Sequence, residues 1–537
     1  MSDLFFLGTL FLFLVFLVKN TLFWIQIWQQ KEYSEVRVLT HLRETSEGRN
    51  IVWGKLHLLK LFAFFFYFIT IFATSLYPIY PVLVFTIYLL LFYLFIKDII
   101  SGQISFPKFT AKAISILFFS LVLEILIFLL PLLDKYFWII FVDSLLPFVV
   151  TLFILILTIP TDFYRDEIIN RAIDKINKRK NLITVGITGS YGKNSTRDFI
   201  EKILSYKFNV LKTRDNENTI IPIARTISKS LTLKKQVLIV EIEAYKKGEI
   251  NEIAKIIRPT IGVLTGISDN HISLFKNLTN IVDAQYELIE NLPRYGLAVF
   301  NGNSKHAYSL FKKTRKNKIL YGTLEENYVD LKSKNIKEKK FSLTFDLFFK
   351  ENNLGNFETN LLGKRNIERL LPAIYLGIHL GIKIKDIKKI VSDIHPLPKI
   401  MEPYVMGNGA VLVNDTHYSN SSLVLGALEY LENFRGKKIM VLEPLLELGK
   451  NAQSDHYELG KEIGSKCDFL FLTNKNSFKA LINGIKDSGG ECKVLVAPPS
   501  VISDFVENNC RKNDVVVFEG SEADLSFSLL SPDPVFG

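Results

Sequence analysis

The stretch Ile183-Thr-Val-Gly-Ile-Thr-Gly-Ser-Tyr-Gly-Lys-Asn-Ser-Thr196 carries a β-branched run into a glycine-bearing turn, followed by a lysine and hydroxyl residues able to open a helix. A strand, a glycine turn and a helix in that order form a phosphate-binding loop. Backbone N–H groups of Ser190 to Lys193 would cradle phosphate oxygens, the helix would add the positive end of its dipole, and Lys193 would reach the β/γ oxygens. The same turn also serves as plain packing in many α/β proteins, so the flanking sequence has to decide between the two.

Beyond the loop, Val237-Leu-Ile-Val240, Thr260-Ile-Gly-Val-Leu264 and Leu297-Ala-Val-Phe300 alternate with amphipathic segments, the pattern of a largely parallel sheet. A second alternating set runs through Ala410–Val413, Lys438–Leu442, Phe469–Leu472, Val494–Val496 and Val515–Phe518, predicting a separate doubly wound, Rossmann-like domain. Between the sets, residues 322–362 read as peripheral antiparallel strands around Phe341–Phe349.

Composition changes abruptly near residue 160 of the 537. The first part is rich in Phe, Leu and Ile, in runs too long for soluble core helices, and five spans are expected at about 4–28, 58–76, 79–97, 113–133 and 136–159. No small-residue cleavage site follows residues 1–18, so the start reads as a retained anchor. Lys31, Arg37, Arg43, Arg49 and Lys55 follow span one, and Lys97, Lys108 and Lys112 follow span three. By the positive-inside rule those loops are cytoplasmic, the N-terminus is outside, and everything after residue 160 is in the cytoplasm. Residues 165–180 place Ile168, Ile169, Ala172, Ile173 and Ile176 at helical spacing with cations at the far end, predicting a juxtamembrane basic amphipathic helix over 161–182.

The net charge of +11 does not imply nucleic acid, because much of the excess flanks membrane spans and suits anionic headgroups. Cys467, Cys492 and Cys510 lack paired or metal-ligand spacing and read as buried packing residues in a reducing compartment.

Residues 183 to about 525 resemble the Mur ligases, ATP-dependent amide-forming enzymes of cell-wall peptide assembly, and most closely their D-alanyl-D-alanine-adding branch. The marks are Gly189-Ser-Tyr-Gly-Lys-Asn-Ser-Thr196, Asn218-Thr219, Glu241–Ile250, Arg258-Pro259, His271-Ile-Ser-Leu-Phe275, Asn301, Gly363-Lys-Arg-Asn366, Asp415-Thr-His-Tyr-Ser-Asn420, Glu447-Leu-Gly449 with His456, and Gly520-Ser521. Beside the α-helical membrane region read from hydropathy (1–160), the resemblance implies a P-loop-type central ATP-binding domain (183–400) and a C-terminal domain (401–537). It also implies ATP and Mg²⁺ as cofactors. Gly189, Ser190, Tyr191, Gly192, Lys193, Asn194 and Ser195 would hold the nucleotide phosphates, with Lys193 catalytic. Glu241 and His271 would serve catalysis and, with Asn194, bind Mg²⁺. Asn366 and Asp415 would hold adenine and ribose with His417 near the base, and Asn218, Thr219 and Asn420 would face substrate. Taken singly, Glu241 reads as a solvated strand-end charge, His271 as a hydrogen-bonded surface residue, Asn366 as a helix cap and Asp415 as a turn former. The ordered series lifts them above that.

Several family positions differ. Asn194 stands where Thr or Ser is usual, and Gln285 stands where a carbamylated Lys usually supplies a metal-binding carboxylate. The usual Arg falls on Ile400, beside Lys399; Glu519 replaces a Lys and Glu443 a Gly. The membrane spans occupy the place of the domain that binds the uridine-diphosphate sugar. The expected activity is therefore a membrane-anchored ligase joining a muropeptide or lipid-linked peptide acceptor to an amino acid or dipeptide such as D-alanyl-D-alanine, with wall-synthesis proteins as further partners. The alternatives are a catalytically degenerate ATP-binding scaffold and, with less support because the spans carry few charges, an ATP-driven transporter.

Overall fold

A computed structural model of the chain describes residues 2–536 other than 32, 45, 101–105, 131–133, 269–274, 276, 324–328, 418 and 446–451. Two compact units divide at Glu167/Ile168.

The first unit is helical. Among the described residues five helices are long and apolar enough to cross a bilayer: Phe5–Gln30, Gly48–Phe72, Ile79–Ile100, Ala111–Phe128 and Lys135–Asn177. Their shared interior is aromatic, with Tyr67 and Phe137 rings 4.5 Å apart and Phe13, Phe16, Tyr80 and Tyr88 fully buried. The last helix runs unbroken through Pro147 and Pro160 to Asn177, so the amphipathic stretch expected as a separate juxtamembrane helix is its continuation. Ile168, Ala172 and Ile176 at its end are buried in the core of the second unit, against Ile253, Ile257 and Leu288, which explains their apolar spacing without a lipid surface.

The second unit is built on two sheets. In the first, β1 (Ile183–Thr188), β2 (Val210–Lys212), β3 (Val237–Glu241), β4 (Ile261–Leu264), β5 (Leu297–Asn301) and β6 (Asn317–Gly322) pair in parallel in the order β2-β3-β1-β4-β5-β6. Strands β7 (Leu331–Glu338), β8 (Leu343–Phe349) and β9 (Asn352–Thr359) extend the same sheet; β7 joins β6 in parallel and the rest is antiparallel. The segment expected at the periphery is thus the sheet's edge. Strands β1, β3, β4 and β5 are buried on both faces, so they read as continuous Val, Ile and Leu runs.

The second sheet holds β10 (Glu402–Val405), β11 (Val411–Asp415), β12 (Lys438–Leu442), β13 (Phe469–Leu472), β14 (Lys493–Val496), β15 (Val515–Glu519) and β16 (Asp533–Pro534), in the order β14-β13-β12-β15-β11-β10-β16. Its five central strands are parallel and β10 and β16 pair antiparallel at one edge. The chain steps outward from β12 to β14 and returns to place β15 between β12 and β11. The carboxyl ends of β11, β15 and β12 therefore lie at the reversal of strand order, where open α/β sheets form a binding crevice. The cysteines are free; Cys467 and Cys510 are buried in this domain's core.

Candidate functional site

The loop after β1 is shaped by its glycines. Gly192 has φ +81° immediately before the helix Lys193–Leu204, a conformation with little penalty only for glycine. A Cβ on Gly189 would stand 2.1 Å from the Thr265 hydroxyl oxygen, so β4 could not approach the loop. The first helical turn leaves the amides of Lys193, Asn194 and Ser195 without intrahelical acceptors, an anion site by construction. One expected cradle member is lost: the Ser190 N–H donates to the Gly266 carbonyl at 2.7 Å, tying the loop to the segment after β4. Tyr191 strengthens that tie. Its carbonyl accepts the Thr265 hydroxyl at 2.7 Å, and its ring lies so close over Gly266 that a Cβ there would stand 1.7 Å from a ring carbon. Burial, then the Glu368 charge, pushes the Tyr191 phenol up to about 12, so it stays neutral.

A cavity of about 160 Å³ opens on this loop, lined by Ser190, Tyr191, Gly192, Lys193, Asn194 and Ser195, and by Glu243, Arg369, Ile400, Asp415, His417 and Leu423. Lys193 is buried in its wall, donating to the Gly189 carbonyl at 2.8 Å and pairing with Glu243 at 3.1 Å. The loop residues, Asp415 and His417 are thus brought to one site.

Glu241, at the end of β3, is 1% exposed and pairs with Arg197 at 3.0 Å, with the Asn218 amide at 3.4 Å on its other oxygen. Burial raises its pKa, against the pull of Arg197 and Lys193. Arg197 itself, among the largest fully buried side chains, also holds Asp198 and Asp215. Burial opposes its charge, the bonds to Asp198 and Asp215 favour it, and the net shift is upward. The Arg197 hydrogen bond keeps Asp215 below the usual carboxylate range. Asn218 also accepts the Glu243 amide through its carbonyl at 2.8 Å, and Thr219 begins the helix Ile220–Ser230.

The remaining expected residues divide. Asn366 donates to the Leu362 carbonyl at 2.6 Å and accepts from Arg369 at 2.9 Å, so both ends of its amide are engaged. Asn420 caps the helix Ser421–Leu431 through the Leu423 N–H at 3.0 Å. His456 is fully buried, accepting the Leu445 N–H at 3.0 Å with its other nitrogen 2.6 Å from the Ala452 carbonyl. His271 and Glu447-Leu-Gly449 lie outside the described residues.

Gln285, Ile400, Glu443 and Glu519, four of the substituted positions, each have a local account. Gln285 is buried and accepts the Thr188 hydroxyl proton. Ile400 faces the cavity while the Lys399 ammonium turns to Asp524 at 2.7 Å, so Lys399 does not replace the missing arginine. The Glu443 carboxylate accepts the Ser521 hydroxyl at 2.9 Å and the Glu522 N–H at 3.0 Å, bracing the turn after β15. Glu519, opposite Asp415 on paired strands, accepts the Ser419 hydroxyl at 2.9 Å. Burial, then the Asp415 charge, pushes Glu519 well above the usual carboxylate range. Burial likewise pushes Asp415 up to about 6, opposed by Arg369 and the Met401 N–H at 3.1 Å.

Sequence reading missed Arg369, Glu243 and Arg197. Arg369 is the cavity's half-buried guanidinium; desolvation lowers its pKa and Asp415 and Glu368 support its charge. Its one sequence signal is its place one helical turn after Asn366. Among the described residues no group of three His, Cys, Asp or Glu is arranged to hold a metal. The oxygen donors on the cavity wall include Asn194, Glu243 and Asp415. They suit a hard cation held by one or two carboxylates plus ligand phosphates, the usual manner of Mg²⁺, whereas Glu241 is engaged by Arg197.

A glycine-bearing loop at a helix N-terminus, facing a strand-end carboxylate and an arginine across one cavity, is the arrangement of a ligase-type α/β enzyme. Residues 187–377 match the Mur ligase middle domain. The UDP-N-acetylmuramoyl-tripeptide–D-alanyl-D-alanine ligase of Bacillus subtilis (strain 168) is 26% identical over 343 residues, 63% of this chain and 72% of that protein. The crystal structure of MurF from Acinetobacter baumannii superposes with a TM-score of 0.61 at 19% identity, covering 68% of this chain and 80% of that one. MurF ligase from Thermotoga maritima in complex with ADP gives 0.60 at 20% identity, covering 68% and 82%. The chain is thus similar to the Mur ligases, with the family's middle domain matched at residues 187–377.

Proposed function

We propose that the chain is a membrane-anchored, ATP-dependent ligase that joins a carboxylate of a cell-wall peptide to D-alanyl-D-alanine through an acyl-phosphate. The observation that carries this reading is the cavity where Lys193 and the helix N-terminus face Asp415 and Arg369. In the reaction an acceptor carboxylate oxygen attacks the γ-phosphorus and ADP leaves. The amine nitrogen then attacks the acyl carbon, phosphate departs with the former carboxylate oxygen, and the amine proton passes to solvent. Lys193 and the amides of Lys193 to Ser195 stabilise the charge gathering on the transferred group. Glu243 positions Lys193, and Asp415 and His417 on the cavity wall would hold the ribose and the base. Mg²⁺, held by Asn194 and Glu243 with the nucleotide phosphates, would supply further charge neutralisation.

The five apolar helices serve as the anchor, with the α/β domains (183–400 and 401–537) in the cytoplasm and the acceptor held at the bilayer, so that confinement substitutes for affinity to a uridine-diphosphate handle. A scaffold reading draws on one observation, the Arg197 guanidinium seated on Glu241 where a cation would otherwise bind. The test is Mg²⁺-dependent ADP release by the detergent-purified chain with D-alanyl-D-alanine and either lipid-linked or uridine-diphosphate-linked muropeptide. Acceptor-dependent release, lost in Lys193→Ala, supports the ligase; ATP binding with no release for any acceptor supports the scaffold.

A further inference from the structure

The helical unit contains a cavity of about 570 Å³, within the range of small-ligand sites, whose lining includes Lys19, Asn20, Asn50, His57, Lys60 and Asp143. Ionisable groups inside apolar helices are costly to keep and mark function by default. Asp143 is fully engaged: one oxygen accepts the Asn20 amide at 3.1 Å, and the other accepts the Tyr88 hydroxyl at 3.0 Å and pairs with Lys60. The Lys19 ammonium rests 5.5 Å from the Phe16 ring centroid and 5.6 Å from that of Phe95. With Lys60 balanced by Asp143, Lys19 supplies the positive charge the cavity offers a ligand, with an imidazole and two amides as further donors.

Lys19 also lines an adjoining groove of about 790 Å³ whose walls are largely apolar, among them Phe11, Leu14, Val18 and Phe95, with Asp98 at its edge. Leu14 and Val18 are exposed on the helix surface, where acyl or isoprenoid chains would run. A cationic, donor-rich chamber opening beside an apolar groove has the chemistry of one ligand class: an anionic phosphate head on a long apolar tail.

We propose that this cavity binds the phosphate head of the isoprenoid-type lipid that carries the acceptor peptide, with Lys19 as its principal charge contact. This rests on the ligase reading above for its biological sense but not for its test. The full chain is placed in nanodiscs of neutral phosphatidylcholine, and binding of a long-chain isoprenyl diphosphate, of phosphatidylglycerol and of inorganic pyrophosphate is measured. The expected result is one isoprenyl diphosphate per chain, bound at least about tenfold more tightly than either other probe, and weakened about tenfold by Lys19→Gln or His57→Gln while ATP binding in the second unit is unchanged. Equal binding of phosphatidylglycerol, binding of pyrophosphate alone, no binding, or an unaltered affinity in both variants overturns it. Lipid binding without acceptor-dependent ADP release would leave the cavity standing and remove the ligase; turnover of soluble acceptors without lipid binding would do the reverse.

Discussion

The two sides of the α/β cavity neutralise buried charge in opposite ways. On the loop side the buried cations have carboxylates: Lys193 has Glu243, and Arg197 has Glu241, Asp198 and Asp215. On the strand-end side Asp415, Glu519 and Glu443 crowd the carboxyl ends of three strands, where Arg369 supports Asp415 and the other donors are hydroxyls and amides. The first side is held by ion pairs, which a phosphate could exchange. The second is held by a proton retained on Glu519 beside Asp415, because burial makes two adjacent carboxylates too costly to ionise together.

The largest effect should come from Lys193→Ala, with ligase turnover falling about 10²–10³-fold, as for loss of a single transition-state donor. Steady-state ADP release measures it, and a fall in nucleotide affinity alone would move Lys193 out of the chemistry. Next, Arg197→Met leaves Glu241 buried and unpaired, a loss of about 3–5 kcal/mol. Because all the tryptophans (Trp24, Trp28, Trp53 and Trp138) lie in the helical unit, the loss is followed by amide hydrogen exchange across β1 and β3 rather than by fluorescence. A second change, Glu241→Leu, should recover part of it.

On the other side the sign of the pH dependence follows from the raised carboxyl pKa values of this pair. Glu519 and Asp415 hold theirs more tightly folded than unfolded, so their contribution is fully present below the unfolded values near 4 and is lost as pH rises through the folded ones. Stability of the second unit should fall between about pH 4 and beyond 6, by about 1.4 kcal/mol per pH unit for each extra proton held. Glu519→Gln should flatten that fall, read again by hydrogen exchange; a slope unchanged in the variant would contradict the pairing. The smallest effect is expected of Gln285→Met, which leaves the buried Thr188 hydroxyl only the long bond to the Ile242 carbonyl at 3.4 Å, a cost of about 1 kcal/mol without a change in nucleotide affinity.

What could be read in advance follows physical signal strength. The β1-loop-helix unit and the buried parallel strands declare themselves through β-branched runs and a glycine that needs positive φ, and the long helices declare themselves by length alone. Strands β2, β6, β10 and β16 escaped because they are short, polar or at sheet edges. Arg197, Arg369 and Glu243 escaped for a different reason: each is one charged residue among many, and only its tertiary placement, in the core for Arg197 and on the cavity wall for Arg369 and Glu243, distinguishes it. The helix ending at Asn177 shows the converse, since Ile168, Ala172 and Ile176 gave the right periodicity but the surface they cover is protein core.

The central claim, that this cavity forms an acyl-phosphate, is tested most directly by isotope transfer. An acceptor peptide labelled with ¹⁸O in its reacting carboxylate is turned over with ATP and D-alanyl-D-alanine, and the released phosphate is weighed. The account predicts one ¹⁸O in each phosphate and a matching amide product; unlabelled phosphate would show that water, not the acceptor carboxylate, takes the phosphoryl group.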